Sequence, residues 1–350
     1  MPLVHDARGD DDEQVTSQGA VVVYGAYGHT GQFVVAELRD RGMTPILAGR
    51  DAAKLQAAFP GEEVRPASVD DPGSLDAALA GAAVVINAAG PFAATAGPVI
   101  EAALRAGIPY LDVAAEVEAV ADTFRYDDKA RAAGVTVVPA MAFYGGLGDL
   151  LATAAMGGSD VADEIHLAYA LSSWKPTEGT RASGRVSKGR RDGGRLVYRN
   201  QRLELRTDSA PVTEWAFPAP VGTQAVQAEF TMADSVTIPT HLKASEIHTY
   251  MTVAPLADLF DAEATAPSAV DDRGRSDQTF VVEVVVRQGD ERRRAVACGQ
   301  DIYAISAPLV VEATERVLSG QFPAGVISAG SAFDARDFLM SLRDLSVEID

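Results

Sequence analysis

The chain has little sulfur, no long apolar run and a shortage of positive charge. A single cysteine, Cys298, stands among 350 residues. That excludes an intrachain disulfide framework and any metal site built on clustered thiolates. The longest nearly apolar stretch, around residues 82–97, is interrupted by Asn87, Gly90 and Pro91. It falls short of the roughly 18–20 residues needed to cross a bilayer, so membrane insertion is not expected. The opening residues MPLVHDARGDDDEQ contain no basic segment followed by an apolar one. A signal peptide is therefore not expected, and a cytoplasmic, reducing location is. Lys and Arg number 30 against 49 Asp and Glu, a net charge of −19. So acidic a chain repels nucleic acid and anionic lipid, which makes both poor partners. The five histidines show no HxH or HExxH spacing, so no metal site is expected. His166 and His248 alternate with apolar residues, the pattern of structural histidines in strands.

What is present is a well-packed globular composition, 47% hydrophobic and 23% charged, with mean hydropathy +0.03. The length suits two domains rather than one core. Residues 1–17 are polar and acidic and read as a loose tail. From Gly19, short β-branched runs alternate with amphipathic stretches at a spacing of about 20–25 residues, that of βαβ crossovers in a parallel sheet. The runs are 20–24, 44–48, 62–68, 82–87, 109–113 and 135–140. Residues 18–150 are thus predicted to form a doubly wound, Rossmann-type α/β domain. Residues 151–306 read as a second α+β domain, with longer alternating strands in a mixed or antiparallel sheet. Residues 307–350 read as helices returning to the first domain, beginning with APLVVEATERVLSG.

The first strand runs directly into Gly25-Ala26-Tyr27-Gly28-His29-Thr30-Gly31, which then opens a helix. In that setting the spaced glycines permit a tight turn, close approach of a pyrophosphate, and close packing of helix on strand. A dinucleotide is the predicted ligand. At the end of the second strand Ala48-Gly49-Arg50-Asp51 places a cation, with Lys54 one turn on, where NAD-selective sites carry a carboxylate. Arg50 can pair with a 2′-phosphate, so NADP(H) is the predicted cofactor; Arg50 as a solvated surface charge is the alternative. Asp51 is read as a helix N-cap. Asp70 can reach the adenine edge or start a helix. Asn87, Ala88, Ala89, Gly90, Pro91 and Phe92 at the end of the fourth strand would lie along the ribose and pyrophosphate.

These segments, GAYGHTG, LAGRD, VINAAGPFAATAGPVIEAALRAGIPYLDVAAE and VVPAMAFYGGLGDLLA, resemble the saccharopine dehydrogenase-like oxidoreductases, a group that includes saccharopine reductases and trans-acting enoyl reductases. The resemblance covers about residues 19–156 and the segment APLVVEATERVLSG. It implies an NADP-binding Rossmann domain with an inserted α+β domain carrying substrate contacts and a dimer interface, hence a homodimer through the second domain. The block Tyr110 to Glu116 is similar to the family's Y-x-D-x-x-G-E segment, with Ala115 in place of the glycine. Phe143-Tyr144 stands where family saccharopine reductases have Asp-Pro, a departure that speaks against saccharopine as the substrate.

Hydride transfer requires a proton donor near the nicotinamide. Tyr27, His29, Phe92, Asp112, Glu116 and Tyr144 fall at strand ends facing the predicted cleft, and Tyr144, Asp112 and Glu116 are the catalytic candidates. Packing is the alternative for Tyr144, and helix capping for Asp112 or Glu116. Between Arg181 and Arg206 nine basic residues face only Asp192 and Glu204. Lys175, Arg181 and Arg185 would hold an anionic substrate, small or carrier-bound, if this segment lines the cleft; a solvated helix face is the other reading. The sequence thus predicts an NADP(H)-dependent oxidoreductase that transfers hydride to a C=N or C=C bond. The alternative is a catalytically silent NADP-binding sensor or scaffold.

Overall fold

The structure, a computed structural model, describes residues 19–350; the acidic tail read over residues 1–17 lies outside the described residues. The first half alternates strand and helix without exception. Strands β1 (Val21–Tyr24), β2 (Pro45–Gly49), β3 (Val64–Pro66), β4 (Val84–Asn87), β5 (Tyr110–Asp112) and β6 (Thr136–Val138) are separated by helices. These are α1 (His29–Asp40), α2 (Ala52–Ala58), α3 (Pro72–Leu79), α4 (Phe92–Ala106), and the pair α5 (Val117–Phe124) and α6 (Asp127–Ala133). The pattern follows from covered strands: every residue of β1 and β4 is buried, which leaves no solvated face to alternate toward. One amphipathic stretch read over 116–133 divides into α5 and α6, joined at Arg125–Tyr126.

Helix α7 (Gly148–Ala155) carries the chain across into the second half. There follow β7 (Val161–Leu171), α8 (Glu178–Arg190), β8 (Arg195–Arg199), β9 (Arg202–Arg206), β10 (Val212–Ala216), β11 (Thr223–Ala228), α9 (Asp234–Thr237), β12 (Lys243–Thr252), α10 (Val253–Phe260), β13 (Thr279–Gln288) and β14 (Glu291–Gln300). The chain ends with α11 (Ser306–Ser319), β15 (Gly325–Val326), α12 (Ala329–Ala332), α13 (Ala335–Ser341) and β16 (Ser346–Ile349).

The first sheet has the order β15-β6-β5-β4-β1-β2-β3 and is parallel throughout. Its order reverses between β1 and β4, the switch point at which doubly wound sheets bind ligands. The second sheet runs β10-β11-β12-β7-β13-β14-β16, with β8 and β9 branching from β12, and is mixed because β7 and β12 are parallel. It exceeds the sequence reading at both ends. Strands β10 and β11 are short and largely exposed, and neither VTEWA nor TQAVQA alternates apolar with polar residues, whereas β9, RLELR, alternates but is only five residues long. The last strand, β16, pairs with β14 in the second sheet, where the sequence showed only helices.

One continuous apolar core joins the halves. Leu150 and Leu151 of α7 are fully buried and belong to the same cluster as Val137 of β6 and Tyr169, Val282 and Val284 of the second sheet. A boundary at residue 150 therefore falls inside a helix.

Candidate functional site

The carboxyl ends of β1, β2 and β4 converge on the glycine turn. Gly25 has φ +92°, and a Cβ there would stand 2.8 Å from the backbone of Ala89, so the turn presses directly against the end of β4. A Cβ on Gly31 would stand 2.2 Å from the Gly25 carbonyl oxygen, which is how α1 packs so closely on the turn that precedes it. Gly28 occupies the N-cap of α1 and offers no side-chain cap, leaving the first N–H groups of a 12-residue helix to an external anion. His29, the first residue of that helix, has a buried Nε2 with no partner. Its ring meets Phe33 and Tyr303 edge-on at 5.3 and 5.2 Å, and burial lowers its pKa. Thr30 is half-buried beside it.

At the end of β2, Arg50 and Lys54 are exposed and make no ion pair among the described residues. The Lys54 ammonium stands 6.0 Å from the centre of the Tyr27 ring, and that ring lies so close to Gly49 that a Cβ would meet it at 2.9 Å. Asp51 caps α2 by accepting the Lys54 N–H at 3.1 Å, so its carboxylate is occupied with backbone. Asp71 does the same for α3, and Asp70 is left exposed beside it. A free turn of N–H groups, an orphaned imidazole nitrogen and two unpaired cations fit an NADP(H) molecule, from pyrophosphate to 2′-phosphate.

Other predicted residues serve the backbone. The Asn87 amide donates to the Tyr110 hydroxyl (3.2 Å) and its oxygen accepts the Ala89 N–H (3.0 Å), which fixes the Ala88–Ala89 turn. The Phe92 side chain is buried, with its ring edge 3.7 Å from where a Cβ on Gly90 would be. Asp112 is fully buried. It accepts the Tyr110 hydroxyl (2.9 Å) and the N–H groups of Ala114 (3.0 Å) and Ala140 (2.7 Å), while burial pushes its pKa up to about 6. These bonds hold Ala140 at φ +58° and occupy the carboxylate internally, away from a cleft. Glu116 accepts the N–H of Phe92 (3.3 Å) and of Ala115 (3.1 Å), bracing the start of α4. Both acids therefore brace strand ends; Glu116 meets the start of α4 at Phe92, and Asp112 caps no helix.

Tyr144 differs. It lies in the turn after β6, where Gly145 adopts φ +107° and a Cβ would strike Ala140 at 2.7 Å. The ring sits among Phe143, Tyr169, Trp174 and Phe230, stacked on Trp174 at 5.6 Å. Its hydroxyl is buried without a partner, and beside it the Tyr169 hydroxyl and Asp234 Oδ2 interact without forming a well-aligned hydrogen bond. Asp234 Oδ1 accepts the Gly145 N–H at 2.9 Å, and burial pushes the carboxyl pKa up to about 7. Three polar atoms without a well-aligned hydrogen bond thus collect where the two halves meet. Sequence spacing could not place Tyr169 and Asp234 there, because they arrive on β7 and α9.

Helix α8 packs beside this region. Ser183 Oγ stands 3.2 Å from where a Cβ on Gly90 would be, and Thr180 shares a hydrogen bond with Tyr303 (3.0 Å). Tyr303 also accepts from the Trp174 indole (3.3 Å) and donates to the Lys175 carbonyl (3.3 Å). The basic segment is less free than its composition suggested. Arg181 donates to the carbonyls of Asp261 and Ala264, Arg190 pairs with Asp122, and Arg191 with Glu118. Arg195, Arg199, Arg202 and Arg206 are likewise paired with carboxylates. None of the substrate candidates Lys175, Arg181 and Arg185 makes an ion pair among the described residues, but Arg181 is held by two carbonyls, while Arg185 is exposed.

The strand pairing also brings Glu164, His166 and His248 together, with one ligand atom from each within 4.8 Å of the others. The expectation of no such cluster rested on spacing along one segment, whereas these residues come from two strands.

No helix among the described residues is long and apolar enough to cross a membrane. Residues 21–138 match the family model of the saccharopine dehydrogenase NADP binding domain. The human saccharopine dehydrogenase-like oxidoreductase is 30% identical over 35% of this chain and 34% of its own length. A probable mitochondrial saccharopine dehydrogenase-like oxidoreductase of Arabidopsis thaliana is 31% identical over 35% and 31%, and a lipid droplet localized protein of Caenorhabditis elegans 34% identical over 34% and 32%. The match thus spans about a third of the length of these curated relatives. The apo saccharopine dehydrogenase (L-Glu forming) of Saccharomyces cerevisiae superposes with a TM-score of 0.66 at 14% identity, over 95% of this chain and all of that one, so the fold extends across both halves. Residues 21–138 thus carry an NADP-binding domain of the saccharopine dehydrogenase type, and both halves follow the fold plan of saccharopine dehydrogenase.

Proposed function

We propose that this protein is an NADPH-dependent reductase acting on a C=N or C=C bond of a small or carrier-bound metabolite, with Tyr144 as the proton donor. NADPH, when bound, supplies the hydride. The observation that carries the reading is the trio of buried polar atoms without a well-aligned hydrogen bond on Tyr144, Tyr169 and Asp234. Leaving such atoms unpaired costs about 1–3 kcal/mol each, a cost that a polar ligand in their midst would offset. Burial holds the Tyr144 phenol well above its ordinary pKa, so it enters the reaction as O–H. In that form it can protonate the nitrogen or carbon that becomes basic once hydride arrives. Asp234, with its pKa raised by burial, is able to hold a proton near neutrality beside Tyr169. Trp174 and Phe230 wall the phenol off from water. Lys175 and Arg185 would meet an anionic substrate or carrier. A homodimer through the mixed sheet and a cytosolic location belong to the same reading.

A catalytically silent NADP-binding sensor is the second reading, favoured by one observation: α8 already seats Ser183 close against Gly90. Consumption of NADPH in the presence of a panel of imines and enoyl thioesters separates the two. Turnover that disappears in Tyr144→Phe supports the reductase. Tight NADPH binding with no turnover on any member of the panel supports the sensor.

A further inference from the structure

The sequence contains the tripeptide Glu-Ile-His twice, at 164–166 and at 246–248. Strands β7 and β12 carry these copies and run parallel in register, with Glu164 opposite Glu246, Ile165 opposite Ile247 and His166 opposite His248. Side-chain alternation sends both isoleucines into the main core and leaves the glutamates and histidines together on the other face. The two imidazoles stack with centres 4.8 Å apart and planes 27° from parallel. His166 Nε2 lies 3.0 Å from Glu164 Oε2, and its Nδ1 lies 3.2 Å from the Tyr250 hydroxyl oxygen.

We propose that this face of the mixed sheet is a divalent transition-metal site, with Glu164, His166 and His248 as its protein ligands. If Nδ1–H of His166 donates to Tyr250, the Nε2 lone pair faces a carboxylate oxygen at hydrogen-bond distance. A proton can bridge two acceptors so placed, and so can a metal ion that also takes His248 as a ligand. Zinc bonds of about 2.0–2.2 Å to nitrogen and oxygen put tetrahedral ligand atoms roughly 3.2–3.6 Å apart. The observed cluster, with atoms between 3.0 and 4.8 Å of one another, closes to that geometry with small side-chain rotations. Two imidazoles and one carboxylate select zinc-like ions over magnesium or calcium, which favour all-oxygen shells. Tyr250 supplies the outer contact that metal-bound histidines use to fix their orientation. Arg287 competes for Glu164 at 3.1 Å, but its side chain is 56% exposed and sits near the end of β13, so it can turn away into solvent.

The test uses the full chain, stripped with a chelator and titrated with zinc chloride alone by isothermal calorimetry. The expected result is one saturable site per chain that millimolar magnesium does not displace, together with a zinc-dependent rise in Tm. His248→Ala should abolish both effects, and Glu164→Gln should weaken zinc at least about tenfold while NADPH affinity stays unchanged. Should His248→Ala prove unstable, Tyr250→Phe keeps the ring and removes the orienting oxygen, and zinc should again weaken about tenfold. Absence of saturable zinc binding in the wild type would overturn the proposal. So would a set of weak sites that magnesium displaces equally, or unchanged zinc affinity in Glu164→Gln.

Discussion

In the parallel sheet, the groups proposed to meet the dinucleotide come from turns directly after β1, β2 and β4, each continuous with the strand that places it. In the mixed sheet, Glu164 and His248 meet only because β7 and β12 pair side by side. Tyr144, Tyr169 and Asp234 meet because a turn, a strand and a short helix converge. The first arrangement rests on backbone and on glycines, so a single added Cβ can undo it. The second rests on side chains held by tertiary packing, so single substitutions there alter chemistry or pH response while leaving the scaffold in place.

The largest effect should come from the backbone side of this contrast. Gly28→Val places a branched side chain at the N-cap of α1, where a Cβ already stands 3.1 Å from the Gly25 carbonyl oxygen. NADPH affinity should fall at least about 100-fold, close to 3 kcal/mol, with the circular dichroism of a folded protein. Calorimetric titration checks it, and retained tight binding would mean that this turn does not hold the cofactor. Next is Tyr144→Phe, whose predicted effects on turnover and stability have opposite signs. The rate of reduction should drop about 100-fold or more. Stability should be unchanged or higher by up to about 1 kcal/mol, because the lost hydroxyl has no partner. A destabilised variant with full turnover would show that Tyr144 only packs.

Arg50→Ala should cost about tenfold in NADPH affinity, near 1.4 kcal/mol, and leave NADH affinity unchanged. Equal affinities of the wild type for both cofactors would remove the role given to Arg50. A smaller effect is expected from Asp234→Asn. Burial raises the folded-state pKa of Asp234 from 3.8 to about 7, so the native protein holds a proton that the unfolded chain releases. Its contribution to stability is therefore greatest in acid and is lost as pH rises through about 7. Asparagine stays neutral at every pH and can still accept the Gly145 N–H. The Tm of the variant relative to wild type should thus climb by a few degrees between pH 5 and pH 8, measured by thermal melts at both. A constant difference would place the Asp234 proton elsewhere. The smallest effect belongs to Arg185→Gln, which removes an exposed, unpaired cation of α8. It should raise KM for an anionic substrate only about twofold, with the difference vanishing at 1 M salt. A much larger change would restore the basic segment as a steering surface.

The legible parts share a physical property: they depend on contacts short in sequence. GAYGHTG announced its turn because strand, glycines and helix are contiguous, and β-branched runs such as AAVVIN announced covered strands. Asp51 could be read as a cap because its partner, Lys54 N–H, is three residues away. Arg181 misled because its neighbours in sequence are basic while its partners, the carbonyls of Asp261 and Ala264, lie some 80 residues on. Asp112 looked like a cleft carboxylate from its position at a strand end. The Ala114 N–H is local to it, but its occupation by the Ala140 N–H depends on the path of the chain after β6.

The sequence by itself determined the doubly wound sheet, its glycine turn and the cationic end of β2. Each is encoded by residues within one βαβ unit, where covalent continuity leaves little freedom. Tertiary structure alone decided which polar groups are left without partners and which charges are neutralised. It also decided that two Glu-Ile-His copies lie side by side. Those outcomes depend on strand register and on burial, which arise only when distant segments pack and exclude water together.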